Sequence, residues 1–173
     1  ETGCWPAAFA MVQAKLNGFI DPPANTWRRY PETDDSAPAR YARAIAQFRS
    51  GRIPEAVAIL DTLLAEAPNN PWLLEMKGQV LFEGHRPAEA LAPYAAAARL
   101  VPDEGLVRLS YARVLMEIGQ PALLRRAVTE LEAALRTERE SPFAWRQMAI
   151  ARGRLGELPQ ADMALAEEAL LRG

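Results

Sequence analysis

Gly51, His85, Gly119 and Gly156 recur along this chain at steps of 34, 34 and 37 residues. Each is followed by a small residue, Ala56, Ala90, Ala127 and Ala161, with three extra residues inside the third copy. Four residues further on stands a large apolar column, Leu60, Tyr94, Leu131 and Leu165. Upstream of each turn lies a second small column, Ala44, Gly78, Ala112 and Ala149, and Pro68 and Pro102 close the first two copies. Columns that hold register across four copies mark a repeat protein, in which each unit buries its apolar face on its neighbours.

Within a copy, the columns describe a helix–turn–helix. In the second copy the spacing predicts one helix over residues 71–83 and another over 87–100. Pro71 suits a first helical turn, where the missing N–H would have had no intrahelical partner. Gly84-His85-Arg86-Pro87 breaks that helix, and Val101-Pro102-Asp103 ends the next. The small columns sit where two helix backbones approach closely. The large column fills the shared core, each buried side chain contributing roughly 1.5–3 kcal/mol. No β-branched alternating run competes, so the expected fold is all-α. The insertion near Leu123-Leu124-Arg125-Arg126 is expected to lengthen its helix by about one turn.

A 34-residue helix pair of this kind resembles the tetratricopeptide repeat. Trp145, Met148, Ala149, Gly156, Ala161 and Leu165 fit its motif in the fourth copy, and Leu74, Gly78, Leu81, Ala90, Tyr94, Ala97 and Pro102 fit in the second. The first copy departs from it with Arg40 and Arg43, the third with Arg108 in an aromatic position, and the fourth with Glu168 where a small residue is typical. The resemblance implies a right-handed superhelix of about four stacked repeats over 37–70, 71–104, 105–141 and 142–173.

Residues 1–36 behave differently and read as an N-terminal helix and linker. Ala8, Met11, Val12, Leu16 and Phe19 lie at helical spacing, which predicts a short amphipathic helix over 6–18. Pro22-Pro23 is expected to stop it, with an irregular stretch to Pro38 that Trp27 and Tyr30 anchor against the first repeat. The opening Glu1-Thr2-Gly3 resembles an expression-vector remnant. The segment from Met11 to Phe19, with Arg28-Arg29-Tyr30-Pro31 and the run from Pro38 to Ala46, resembles the junction between catalytic and repeat domains in bacterial periplasmic zinc metalloproteases of the BepA type. That resemblance implies a C-terminal repeat domain, a missing catalytic domain upstream, a periplasmic setting and a role in outer-membrane protein quality control.

The chain itself carries no enzyme signature. A zincin needs two histidines one helical turn apart with a glutamate as general base, and the one histidine, His85, falls in a turn. His85 is expected as a solvated residue that tolerates the helix-ending conformation, as Asn or Asp would. Cys4 is the single cysteine, which excludes an intrachain disulfide and a thiolate cluster. The glycines are scattered singly, with no phosphate loop, and Asp34-Asp35 and Glu167-Glu168 read as solvated surface. No cofactor is expected here; zinc would belong to the missing domain.

Binding remains. First helices of such an array line a concave face. Residues there that point away from the partner helix are Tyr41, Ile45, Phe48 and Arg49; then Trp72, Glu75, Gln79 and Phe82; then Leu109, Arg113 and Met116; then Phe143, Arg146 and Ile150. Tyr41, Phe48, Arg49, Trp72, Gln79, Phe82, Arg113, Met116 and Arg146 are the expected partner-binding set. Aromatic and aliphatic anchors with a few arginines suit an apolar protein or peptide partner, with Arg113 or Arg146 meeting a carboxylate. A net charge of −2, with acidic residues interspersed, argues against nucleic acid. No apolar run approaches the roughly 18 residues that span a bilayer, so direct membrane insertion is not expected. At the far end, Ala164, Leu165 and Ala169 would face a partner, such as the missing catalytic domain or a second copy, or else Asp162, Glu167 and Glu168 make the last helix its own cap. The alternative to a protease-attached module is a free-standing adaptor or scaffold, for which the setting would be cytoplasmic.

Overall fold

The structure, a computed structural model, describes residues 4–173, with side chains described from Phe9 onward. Glu1-Thr2-Gly3 and the side chains of Cys4 and Ala8 lie outside the described residues. The described residues form ten α-helices and no strand: α1 (Cys4–Ile20), α2 (Pro23–Arg29), α3 (Ala37–Arg49), α4 (Ile53–Glu66), α5 (Pro71–Glu83), α6 (Pro87–Leu100), α7 (Gly105–Ile118), α8 (Pro121–Ala134), α9 (Pro142–Arg154) and α10 (Leu158–Arg172). They form two compact units, one ending at Gly84 and the other beginning at His85.

Proline sets most of the helix starts. It occupies one of the first two positions of α2–α6 and α8–α10, where no hydrogen bond is lost. Side-chain caps add to this: Asn70 Oδ1 accepts from the backbone N–H of Trp72 (3.0 Å) and Leu73 (3.2 Å), and Ser141 Oγ accepts from Ala144 (3.2 Å). The turn column has a conformational cause. Gly51, His85, Gly119 and Gly156 take φ of 76°, 60°, 74° and 78°. Glycine adopts this left-handed region without strain. His85, exposed as expected, is the one non-glycine residue there among those described.

In the first unit α3 pairs with α4, α5 packs on α4, and α1 and α2 lie against α3. Its core joins Tyr41, Ala44 and Ile45 to Ala56, Leu60, Leu63, Met76 and Val80. In the second unit α6 packs on α7, α7 on α8, α8 on α9 and α9 on α10. Both small columns are buried in every copy. The large column is buried at Leu60, Tyr94 and Leu131, whereas Leu165 on α10 is 48% exposed.

Three expectations need correction. The stretch after Pro22 is not irregular throughout, since Pro23 begins α2 instead of blocking a helix. The N–H groups of Asn25 and Thr26 close on Pro22 O (2.8 and 3.2 Å). Trp27 and Tyr30 are tied down there: the Arg52 guanidinium lies 5.9 Å from the Trp27 ring centroid, and Asn17 donates to the Tyr30 hydroxyl at 2.8 Å. The insertion does not lengthen α8, which has 14 residues like α4 and α6. It lengthens the connection to α9 instead, residues 135–141 against 67–70 and 101–104 in the earlier pairs. Thr137 N, Thr137 Oγ1 and Glu138 N all converge on Ala134 O and end the helix. Finally, α1 buries Ala14 and Gly18, with Met11 and Phe19 half-buried, whereas Val12 and Leu16 point outward.

Candidate functional site

The expected binding residues of α3 lie beneath α1. A Cβ on Gly18 would fall 2.9 Å from Ile45 Cβ, so the two helix backbones meet where only glycine fits. Phe19 meets Phe48 edge to face, ring centroids 6.5 Å apart. The Arg49 guanidinium donates to Gly18 O (3.1 Å) and Asp21 O, which places a cation on the carbonyls that end α1. Lys15 Nζ reaches across to Glu75 Oε2 on α5 at 3.1 Å. Tyr41 therefore does not line an open face: it is core, at 2% exposure, whereas Phe48 is half-buried against Phe19 and Arg49 is exposed while its guanidinium holds the end of α1. The Tyr41 hydroxyl is buried with no protein hydrogen-bond partner, a cost of about 1–3 kcal/mol. Burial first, and the Glu75 carboxylate second, push its pKa up. On α5, Trp72 is exposed beside Ala67, Pro68 and Pro71, Gln79 donates to Glu83 at 2.9 Å, and Phe82 is half-buried.

The second unit keeps an open face on α7 and α9. Leu106, Phe143 and Ile150 are exposed there, and the Arg113 guanidinium lies 5.7 Å from the Phe143 ring centroid. Such a contact is worth about 0.5–1 kcal/mol at an exposed site and holds both groups on one surface. Arg154 donates to Met116 O at 2.6 Å and ties α9 to α7. Met116 and Leu109 are buried, so neither is a surface anchor. Arg146 is not a free cation for a partner's carboxylate: its Nε donates to Glu168 at 2.8 Å, and Arg172 adds a second contact at 2.9 Å. Glu168, expected on the solvated surface, is instead buried beside these two guanidinium groups, while Asp162, Glu167 and Ala169 stay in water and Ala164 packs inside.

The departures from the repeat motif turn out to be paired. Arg108 donates to Glu130 at 2.5 Å, and Arg126 joins it at 2.6 Å. Arg108–Glu130 and Arg146–Glu168 share a separation of 22 residues, one device used in two successive helix pairs. Arg40 bonds Glu66 at 2.7 Å, and Arg43 donates to the carbonyls of Tyr30, Pro31 and Asp34. An arginine in a motif's aromatic position is the sequence signal for such a pair, and the acid 22 residues on completes it. Sequence reasoning also missed Leu106 and a cleft of about 360 Å³ bounded by Leu135, Trp145, Met148, Met163 and Ala164.

Among the described residues no group of three or more His, Cys, Asp or Glu side chains could hold a metal ion. With its single histidine exposed in a turn, this donor set does not fit a zincin's zinc. No helix among them is long and apolar enough to cross a membrane.

No family profile matches the chain. The β-barrel assembly-enhancing protease of Yersinia pestis is 27% identical over 135 residues, which cover 78% of this chain and 27% of that protein. The chain thus spans about a quarter of the length of this relative. Among solved structures, MamA from Desulfovibrio magneticus RS-1 superposes with a TM-score of 0.80 at 17% identity, covering 96% of this chain and 94% of that one. MamA of strain MSR-1 gives 0.77 at 16% identity, covering 95% and 93%. The chain is all-helical, with the tetratricopeptide-like fold of stacked helix pairs, and it resembles the assembly-enhancing protease over 135 residues.

Proposed function

We propose that this chain is the partner-binding repeat domain of a larger envelope enzyme, holding substrates or assembly partners for an attached zinc metalloprotease in the periplasm. The reading is supported by the similarity to an assembly-enhancing protease. The observation that carries it lies on α7 and α9, where Leu106, Phe143 and Ile150 are exposed and the Arg113 guanidinium sits 5.7 Å from the Phe143 ring centroid. Arginine and aromatic side chains concentrate binding energy at protein interfaces, and the apolar residues around them suit a polypeptide with apolar anchors. Catalysis would lie outside this chain, among whose described residues no group of three or more His, Cys, Asp or Glu side chains could hold a metal ion.

The test has two arms. The full reading frame should carry a His-Glu-x-x-His upstream of α1; its absence would leave the free-standing adaptor. Peptides selected from a displayed library on the chain should lose about tenfold in affinity with Arg113→Ala/Phe143→Ala. Unchanged affinity would remove this face as the binding surface.

A further inference from the structure

The last two helix pairs carry different chemistry at one place. By the spacing of the repeat columns, Trp145, Gln160 and Ala164 hold in the fourth copy the positions of Arg108, Arg126 and Glu130 in the third. In the third copy that place is filled: Glu130 is buried, with Arg108 and Arg126 bonded to it. In the fourth an indole and a methyl group replace the ion cluster, and a cleft of about 360 Å³ opens between α8, α9 and α10. Its floor is apolar. Leu135, Met148 and Ala164 are buried there, Trp145 is half-buried, and Met163 stands beside them 70% exposed. The Trp145 Nε1–H donates to Arg139 O at 2.9 Å, which fixes the indole in the wall. Two flexible methionines let such a floor adapt to apolar side chains of differing shape. The rim is acidic. Arg152 bonds Glu132 at 2.6 Å and Glu157 at 2.5 Å, so one guanidinium serves two carboxylates. Glu167 lines the cleft as well, exposed and without an ion pair among the described residues.

We propose that this cleft is a second binding site, selective for a basic polypeptide segment. A leucine or phenylalanine of the segment enters the floor, and a neighbouring lysine or arginine lays its alkyl stem along Met163 and its charge against Glu167 and Glu132. Size and charge choose this occupant. The volume lies near the small end of ligand clefts, roughly 300–1,000 Å³, and suits a side chain or two rather than the face of a helix. Carboxylates in excess over guanidinium groups attract cations and repel the phosphates of nucleic acid and anionic lipid. The site shares no residue with the α7–α9 surface, so the two readings fail separately.

The probe is a synthetic peptide, acetyl-Gly-Lys-Leu-Phe-Lys-Gly-amide, with a control in which glutamate replaces both lysines. The full chain, isotope-labelled at its five methionine methyls, reports the site directly. Met148 and Met163 should shift with the lysine peptide, while Met11, Met76 and Met116 stay still. The lysine peptide should bind about tenfold more tightly than the control at low salt, and the gap should narrow as salt screens the rim. Glu167→Lys, at an exposed position, should remove most of that gap. Arg113→Ala/Phe143→Ala should leave the Met148 and Met163 shifts intact. Silence of these two methyls, or equal affinity for the two peptides, would overturn the proposal. So would a dimer of the chain alone that Glu167→Lys disperses in sedimentation, because a second copy would then be the occupant.

Discussion

The Tyr41 hydroxyl lies under α1 with no protein group to accept its proton, and burial together with Glu75 holds the phenol neutral. An unpartnered buried donor costs free energy that a phenyl ring would not, so Tyr41→Phe should leave stability unchanged or raise it by about 1 kcal/mol. The pH dependence has a definite sign. A phenol whose pKa is raised by folding contributes stability below its unfolded value of about 10 and loses it as the pH rises through the folded value. Urea unfolding at neutral and alkaline pH should show that loss in the parent and less of it in Tyr41→Phe. Destabilisation by the substitution at neutral pH would mean that the hydroxyl is bonded. His85 offers a second residue-level prediction. Its φ of 60° is tolerated by His but costs a residue with a Cβ more than glycine, so His85→Gly should stabilise the chain by about 1 kcal/mol in the same assay. A loss would show that the imidazole makes a contact that matters.

At the level of helices, the ends were legible because they are written in local chemistry. Pro71, Pro87 and Pro142 start helices, and Gly51, Gly119 and Gly156 turn the chain. The buried alanines followed from their spacing for the same reason. Exposure of the binding residues was not legible, because it depends on what covers them. Spacing along α3 placed Tyr41, Phe48 and Arg49 on one face, and nothing in that spacing said that α1 would lie on it. Met116, expected on the binding face, is instead buried in the second unit, where Arg154 of α9 reaches its carbonyl. Arg108, an apparent defect in the motif, meets Glu130, which is 1% exposed. Breaking that pair from the buried side should be costly. Glu130→Ala leaves Arg108 without its acceptor and a hole in the core, and should cost about 3 kcal/mol or more. Glu130→Leu, which fills the space, should cost clearly less. Equal losses in chemical denaturation would mean that the lost ion pair, not packing, is the larger effect at this position.

For the molecule as a whole, a net charge of −2 gives no broad field to gather ligands, so selectivity has to come from local surfaces. The two units present such surfaces in different states, one occupied by α1 and the other open on α7 and α9. The open one carries the account. The measurement that tests it most directly is an amide chemical-shift map of the isotope-labelled chain, titrated with a library-selected peptide. The account predicts that the largest shifts gather at Leu106, Arg113, Phe143 and Ile150. Shifts centred instead on the cleft around Trp145 and Met163, with α7 silent, would contradict it.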